Sequence, residues 1–160
     1  MRSSIIALVF SLMQISPVYA TCTGIGCTCS VSASTVAFGN IDTTSSSNVD
    51  TTGNVQVTCS VLLLGLNVSY TIDLNTGNGT FSQRKMKNAS FSLNYNLYTD
   101  SARSLIWGDG TSSTSIVSDS YNLAILSMTR NYTVYGRVPG PQISAAYGSY
   151  SDTITVTVNY

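Results

Sequence analysis

The sequence contains no histidine and no glutamate, and only 9% of its 160 residues carry charge. Without histidine the chain lacks the commonest proton shuttle at neutral pH and the commonest nitrogen ligand for zinc. Ser-His-Asp and Cys-His nucleophile arrangements and the H-E-x-x-H metal pattern are therefore excluded together. Paired carboxylates could still act as general acid and base. The seven acids, however, are scattered singly at Asp42, Asp50, Asp73, Asp100, Asp109, Asp119 and Asp152. Their expected role is that of turn formers and solvated loop residues, not of a glycosidase-like pair. Seven basic residues balance them, so charge recruits neither nucleic acid nor an anionic membrane. The composition predicts a non-enzymatic chain with no cofactor, no catalytic residue and no metal.

Long apolar runs are scarce as well. The stretch Ile5 to Met13 follows a basic start at Arg2 and precedes Val18-Tyr19-Ala20, with small residues at −3 and −1. This is the pattern of a signal peptide spanning residues 1–20, and the run is too short for the roughly 20 apolar residues of a membrane span. The expected consequence is export, with Thr21 as the first mature residue and a remainder long enough for one domain with its own core.

Cysteine is sparse but even in number: Cys22, Cys27, Cys29 and Cys59. In an oxidising compartment four cysteines read as two disulfides, with three possible connectivities. A metal site at Cys22, Cys27 and Cys29 is the weaker alternative, because there is no C-x-x-C pair and no histidine to complete it.

What the sequence does have is alternation. Val68, Tyr70, Ile72 and Leu74 are separated by polar residues, as are Phe91, Leu93, Tyr95 and Leu97, and Ile154, Val156, Val158 and Tyr160. Each set predicts a strand with one buried face. Val31 and Ala33, followed after a register change by Val36 and Phe38, predict a first strand; Val55, Val57 and Cys59 a second; Tyr132 and Val134 another. Between them lie turn-rich stretches: Asp42 to Gly53, Asn75 to Gly79, Gly108 to Gly110 and Pro139-Gly140-Pro141. No useful window carries helical spacing, so the expected fold is an all-β antiparallel sandwich.

Smaller features have bland readings. Trp107-Gly108-Asp109-Gly110 predicts a tight hairpin with a packed tryptophan, although an exposed ring there could serve as a sugar platform. Arg84, Lys85 and Lys87 read as a solvated basic loop, and Arg137 as a solvated arginine or an interface fork. Four N-x-S/T sequons, at Asn67, Asn78, Asn88 and Asn131, are by-products of a composition rich in Asn and Thr.

Six blocks, in order, resemble the spore coat protein U domain: Cys29-Ser30-Val31-Ser32-Ala33 with Phe38-Gly39; Thr52 to Cys59; Leu93 to Asp100; Trp107 to Gly110; Tyr135 to Pro139; and Gly148 to Val158. That family includes subunits of archaic, Csu-type chaperone-usher pili. The resemblance implies an incomplete immunoglobulin-like sandwich, filled first by a periplasmic chaperone and later by a neighbouring pilus subunit after passage through an outer-membrane usher. On this reading residues 1–20 are a signal peptide, 21–28 a short N-terminal extension and 29–160 the pilin-like domain. Cys29 is expected to pair with Cys59, joining the first two strands, and Cys22 with Cys27. The groove for the incoming strand is expected beside Ile154, Val156, Val158 and Tyr160. Four side chains buried there at roughly 1.5 to 3 kcal/mol each would rival the stability of a whole domain. The expected function is a structural subunit of an extracellular fimbria acting in adhesion or biofilm formation. The alternative is a spore or cell-surface coat protein, or a tip-located binding domain.

Overall fold

The computed structural model describes residues 21–22, 26–62, 66–123 and 126–160, with only the backbone described at Thr21, Cys22 and Leu66. The expected signal peptide lies outside the described residues. Among these residues nine strands follow in chain order: β1 (Thr21–Cys22), β2 (Thr28–Ala33), β3 (Val49–Ser60), β4 (Leu66–Leu74), β5 (Arg84–Asn88), β6 (Phe91–Tyr98), β7 (Val117–Leu123), β8 (Ser127–Val138) and β9 (Val156–Asn159). No helix occurs among the described residues.

Two antiparallel sheets face each other. The larger runs β2-β3-β8-β6-β5; in the smaller, β4 is flanked by β7 on one side and by β9 and β1 on the other. This is an all-β sandwich, as the alternation predicts, and an immunoglobulin-like one, as the resemblance implies. Val55, Val57 and Cys59 of β3, Val68, Tyr70, Ile72 and Leu74 of β4, Leu93, Tyr95 and Leu97 of β6, and Val134 and Val138 of β8 meet in the core. Cys29 and Cys59 stand directly opposite each other across β2 and β3 and form a disulfide. Cys27 is also disulfide-bonded, while the side chain of its expected partner Cys22 lies outside the described residues.

Several local expectations need correction. Arg84, Lys85 and Lys87 form strand β5 instead of a loop, and Arg84 is 0% exposed. Its guanidinium donates to the carbonyl of Asn75 (2.7 and 3.1 Å), the carbonyl of Trp107 (2.7 Å) and Asn96 Oδ1 (2.7 Å). Burial pulls its pKa below the ordinary arginine range, but these oxygens replace the lost water. Asn96 is buried too, against the alternation of β6, because it serves Arg84 and donates to Phe81 O. At the other end of that strand Phe91 is exposed. Asp50, Asp73 and Asp119 sit within strands, whereas Asp42, Asp100 and Asp109 accept local backbone hydrogen bonds in turns, as expected.

Trp107 packs in the core and donates through Nε1 to Ile72 O (2.9 Å), so its ring is no sugar platform. The turn after it has Gly110 at positive φ, but Trp107 pairs in parallel with Ser115, so the segment is a broad loop and not a hairpin. Arg137 forks onto Asp50 with two 2.8 Å bonds instead of pointing to solvent. Tyr70, Tyr121 and Tyr132 meet edge to face, and Tyr70 and Tyr132 share a hydroxyl hydrogen bond that continues to Asp119. Because β8 lies in one sheet and β4 and β7 in the other, this cluster stitches the layers together on the closed side of the sandwich.

Candidate functional site

After Ala33 the chain leaves the edge of β3; Ser34 N bonding to Asn54 O is the last rung. The expected second part of this strand, Val36 and Phe38, is not a strand at all. Instead their side chains lie across the inner face of the larger sheet. A Cβ added at Gly136 would come within 2.9 Å of both Val36 and Phe38, and one at Gly53 within 2.7 Å of Val36. Glycine is needed at both positions because the side chains of Val36 and Phe38 pass that close. Phe38 meets Tyr95 edge to face at 6.0 Å.

The C-terminal segment takes a different course. Ser151 exchanges two backbone hydrogen bonds with Lys87 of β5 (2.7 and 3.1 Å), Thr155 O accepts from Asn75 N, and β9 then pairs with β4 in the opposite sheet. Asp152 fixes this crossing: its carboxylate accepts from Asn78 N, Asn78 Nδ2 (2.8 Å), Thr153 N and Tyr95 OH (2.7 Å). Burial, and next the bonded Asp152, push the Tyr95 phenol above its ordinary pKa, so it stays a neutral donor.

Between these two segments the sandwich is open. A cleft of about 1150 Å³ lies between residues 33–43 on one rim and 145–156 on the other. Its floor is Val55, Leu74, Leu93, Tyr95, Leu97 and Val134, with Met86 at the side and Val36, Phe38, Ile41, Tyr150, Ile154 and Val156 along the rims. Of the four residues expected to line a groove, Ile154 and Val156 line it; Val158 packs against the core, and Tyr160 is 47% exposed beyond the end of β9. Alternation signalled all four, whereas the opposite rim and the floor carried no signal that they would face an opening. Among the described residues no strand pairs with the edge of β9 that faces away from β4.

Such a site offers apolar surface beside free backbone donors and acceptors, the two things an extended peptide can satisfy. Asp152, the carboxylate of the lining, is already committed to four hydrogen bonds. The Spore Coat Protein U domain model matches residues 14–157. The chain belongs to the spore coat protein U family. None of the curated proteins matches it. Among solved structures it is similar to a chain of the CsuC-CsuE chaperone-tip adhesion subunit pre-assembly complex, from archaic chaperone-usher Csu pili of Acinetobacter baumannii. Identity is 26% and the TM-score 0.52. The similarity covers 84% of this chain but 40% of that one, so the present chain spans less than half the length of its neighbour.

Proposed function

We propose that this spore coat protein U chain is a structural subunit of an extracellular pilus, and that the open cleft is where assembly occurs. An extended strand, supplied first by a periplasmic chaperone and then by a neighbouring subunit, would lie between residues 33–43 and β9, pairing with the edge of β9 and seating alternate side chains on the floor. The observation that carries this reading is the cleft itself, bordered by an unpaired strand edge. Family membership supports it, as does the likeness to a chain of a chaperone–subunit pre-assembly complex. On this reading residues 1–20 direct export and are removed, residues 29–160 are the pilin-like domain, and the protein passes through the periplasm and the usher to the cell surface, where it serves adhesion or biofilm formation. Its role is structural instead of catalytic.

The decisive experiment is co-expression of the chain with and without a periplasmic chaperone of the archaic type, followed by native and unboiled denaturing electrophoresis. A stable one-to-one complex with the chaperone, and denaturant-resistant ladders with partner subunits, are expected. A monomer that persists alone and captures neither chaperone nor strand would sink the proposal.

A further inference from the structure

We propose that Asn78-Gly79 is a site of spontaneous succinimide formation, that Asp152 holds the reaction in check, and that its product loosens the crossing of the C-terminal segment at residues 151–153. The chemistry is independent of what the cleft binds.

Of the twelve asparagines, Asn78 is the one that a glycine follows; the others precede residues with a side chain. The reaction starts when the next residue's backbone nitrogen attacks the asparagine Cγ, and the absence of a Cβ leaves that approach open. Asn78 and Gly79 are both exposed, and Gly79 N has no hydrogen-bond partner among the described residues. At the similar pair Asp109-Gly110 the attacking nitrogen is already engaged, donating to Thr114 Oγ1. The fold asks for both residues of the labile pair. A Cβ on Gly79 would fall 3.0 Å from Arg84 Cα and 3.1 Å from Lys85 N, and closer still to Gln83 O, all of them backbone atoms. Asn78 donates to Asp152 Oδ1 through its backbone N (3.1 Å) and through Nδ2 (2.8 Å).

Those bonds to Asp152 set both the rate and the consequence. Because Nδ2 shares an acceptor with its own backbone N–H, the carboxamide is held on the N-terminal side of residue 78. To turn towards Gly79 N it must give up a charge-assisted hydrogen bond. In the reaction the bond from Gly79 N to Asn78 Cγ forms and the bond from Cγ to Nδ2 breaks, the nitrogen leaving as ammonia with the proton from Gly79 N. Water then opens the imide at either carbonyl, giving aspartate or isoaspartate. Each product sets a second carboxylate against Asp152 in place of the Nδ2 donor. Repulsion there acts on the paired backbone beside it, where Ser151 and Lys87 exchange their two hydrogen bonds.

The test incubates the purified chain at mildly alkaline pH, folded and in urea, and follows each asparagine by peptide mapping with mass spectrometry and enzymatic isoaspartate methylation. Asn78 should convert ahead of the other asparagines in both states, and about tenfold more slowly in the folded chain than in urea. Asp152→Ala should bring the folded rate close to the rate in urea. If that variant does not fold, Asp152→Asn, which keeps an acceptor oxygen without the charge, takes its place and should give an intermediate rate. Asn78→Asp, which installs one of the two products, should speed hydrogen exchange at the amides of Lys87 and Ser151 about tenfold while leaving those of β3 unchanged. Equal rates in the folded chain and in urea would overturn the inference, as would a folded rate that no substitution at Asp152 alters. Unchanged exchange at Lys87 and Ser151 in Asn78→Asp would overturn it too, by showing that the product leaves the crossing intact.

Discussion

Strands β4 and β9 carry the same kind of sequence and meet different fates. In β4, Val68, Tyr70, Ile72 and Leu74 are all buried, because β7 covers one edge of the strand, β9 and β1 the other, and the larger sheet its apolar face. Ile154, Val156 and Val158 alternate as regularly, yet each stays partly exposed. β9 has β4 on one side and, among the described residues, no strand on the other. Alternation therefore fixes which face of a strand is apolar, but not whether the fold that surrounds it is complete. The closed side of the sandwich is where substitutions should affect stability, and the open side where they should affect assembly.

The largest effect on stability is expected in the covered core, at Arg84 of β5. Replacing it with alanine would leave the buried carbonyls of Asn75 and Trp107 without their donor, and would take from the amide oxygen of Asn96 one of its two donors, Leu97 N being the other. A loss of about 3 to 5 kcal/mol of unfolding free energy follows, read by urea denaturation. Arg84→Lys should recover part of it, since an ammonium keeps the charge but cannot reproduce the planar fork. A near-neutral Arg84→Ala would show that the packing around Asn75, Asn96 and Trp107 is not organised around this residue.

Next comes the Cys29–Cys59 bridge, which closes a loop with a sequence separation of 30. The chain-entropy model gives a loss of about 3.5 kcal/mol when both cysteines become alanine. Because β2 is an edge strand that, among the described residues, pairs with β3 alone, the double variant should also raise hydrogen exchange along Thr28–Ala33 more than elsewhere. Uniform acceleration over the whole sandwich would contradict that local picture.

On the open side the pattern should invert. Val156→Asp places a charge in the cleft lining, and an uncompensated charge facing an incoming apolar side chain should weaken strand capture by about 100-fold, or about 3 kcal/mol. The isolated subunit should lose far less stability than with Arg84→Ala, because Val156 is only partly covered there. Thr155→Asp, at an exposed neighbouring position, should leave capture close to normal. If both substitutions impair chaperone binding equally, the cleft is not the contact surface.

The same contrast explains what could be read in advance. Strands β4 and β6 and the course of β8 were legible because their buried faces repeat every second residue. β5 was not: Arg84-Lys85-Met86-Lys87 looks solvated, and the oxygens that make Arg84 tolerable in the core come from Asn75, Asn96 and Trp107, distant positions that no local pattern announces. β7 was hidden for a similar reason, since Asp119 interrupts its apolar face and is accommodated by Tyr132 and Arg130 of the opposite sheet. Of the cleft, the rim at Ile154 and Val156 was legible, while Val36, Phe38 and Ile41 were not. Their inward orientation depends on glycines at 53 and 136 in strands that lie next to them only in the folded chain.

The smallest expected effect lies on the seam between the two sides, at Asp73. This β4 residue faces Thr157 of β9, and its Oδ2 accepts a 2.6 Å hydrogen bond from Asn159 Nδ2. Its Oδ1 is buried and has no hydrogen-bond partner among the described residues. Burial accordingly raises its pKa above the usual aspartate value, outweighing the lowering by Asn159. The sign follows directly: a carboxyl whose folded pKa is raised binds its proton more readily in the fold than in the unfolded chain. It therefore opposes folding at neutral pH, and that opposition is relieved as pH falls through the folded value towards the unfolded one. Asp73→Asn removes the charge at all pH values and keeps an oxygen able to accept from Asn159. It should stabilise the isolated subunit at pH 7 by less than about 1 kcal/mol, a small figure because the group is only partly buried and screened by solvent. The gain should shrink as pH falls through the raised folded value and be gone below the unfolded one, about 4. Asp50 provides the opposite sign. The hydrogen bonds from Arg137 hold its carboxyl below the ordinary range, so its stabilising contribution is present above the unfolded pKa and disappears on further acidification. Thermal unfolding of wild type and Asp73→Asn between pH 3 and 7 separates the two. Curves that stay parallel over that range would mean that Asp73 carries no penalty, and that β9 is held to β4 as firmly as the covered strands are held to one another.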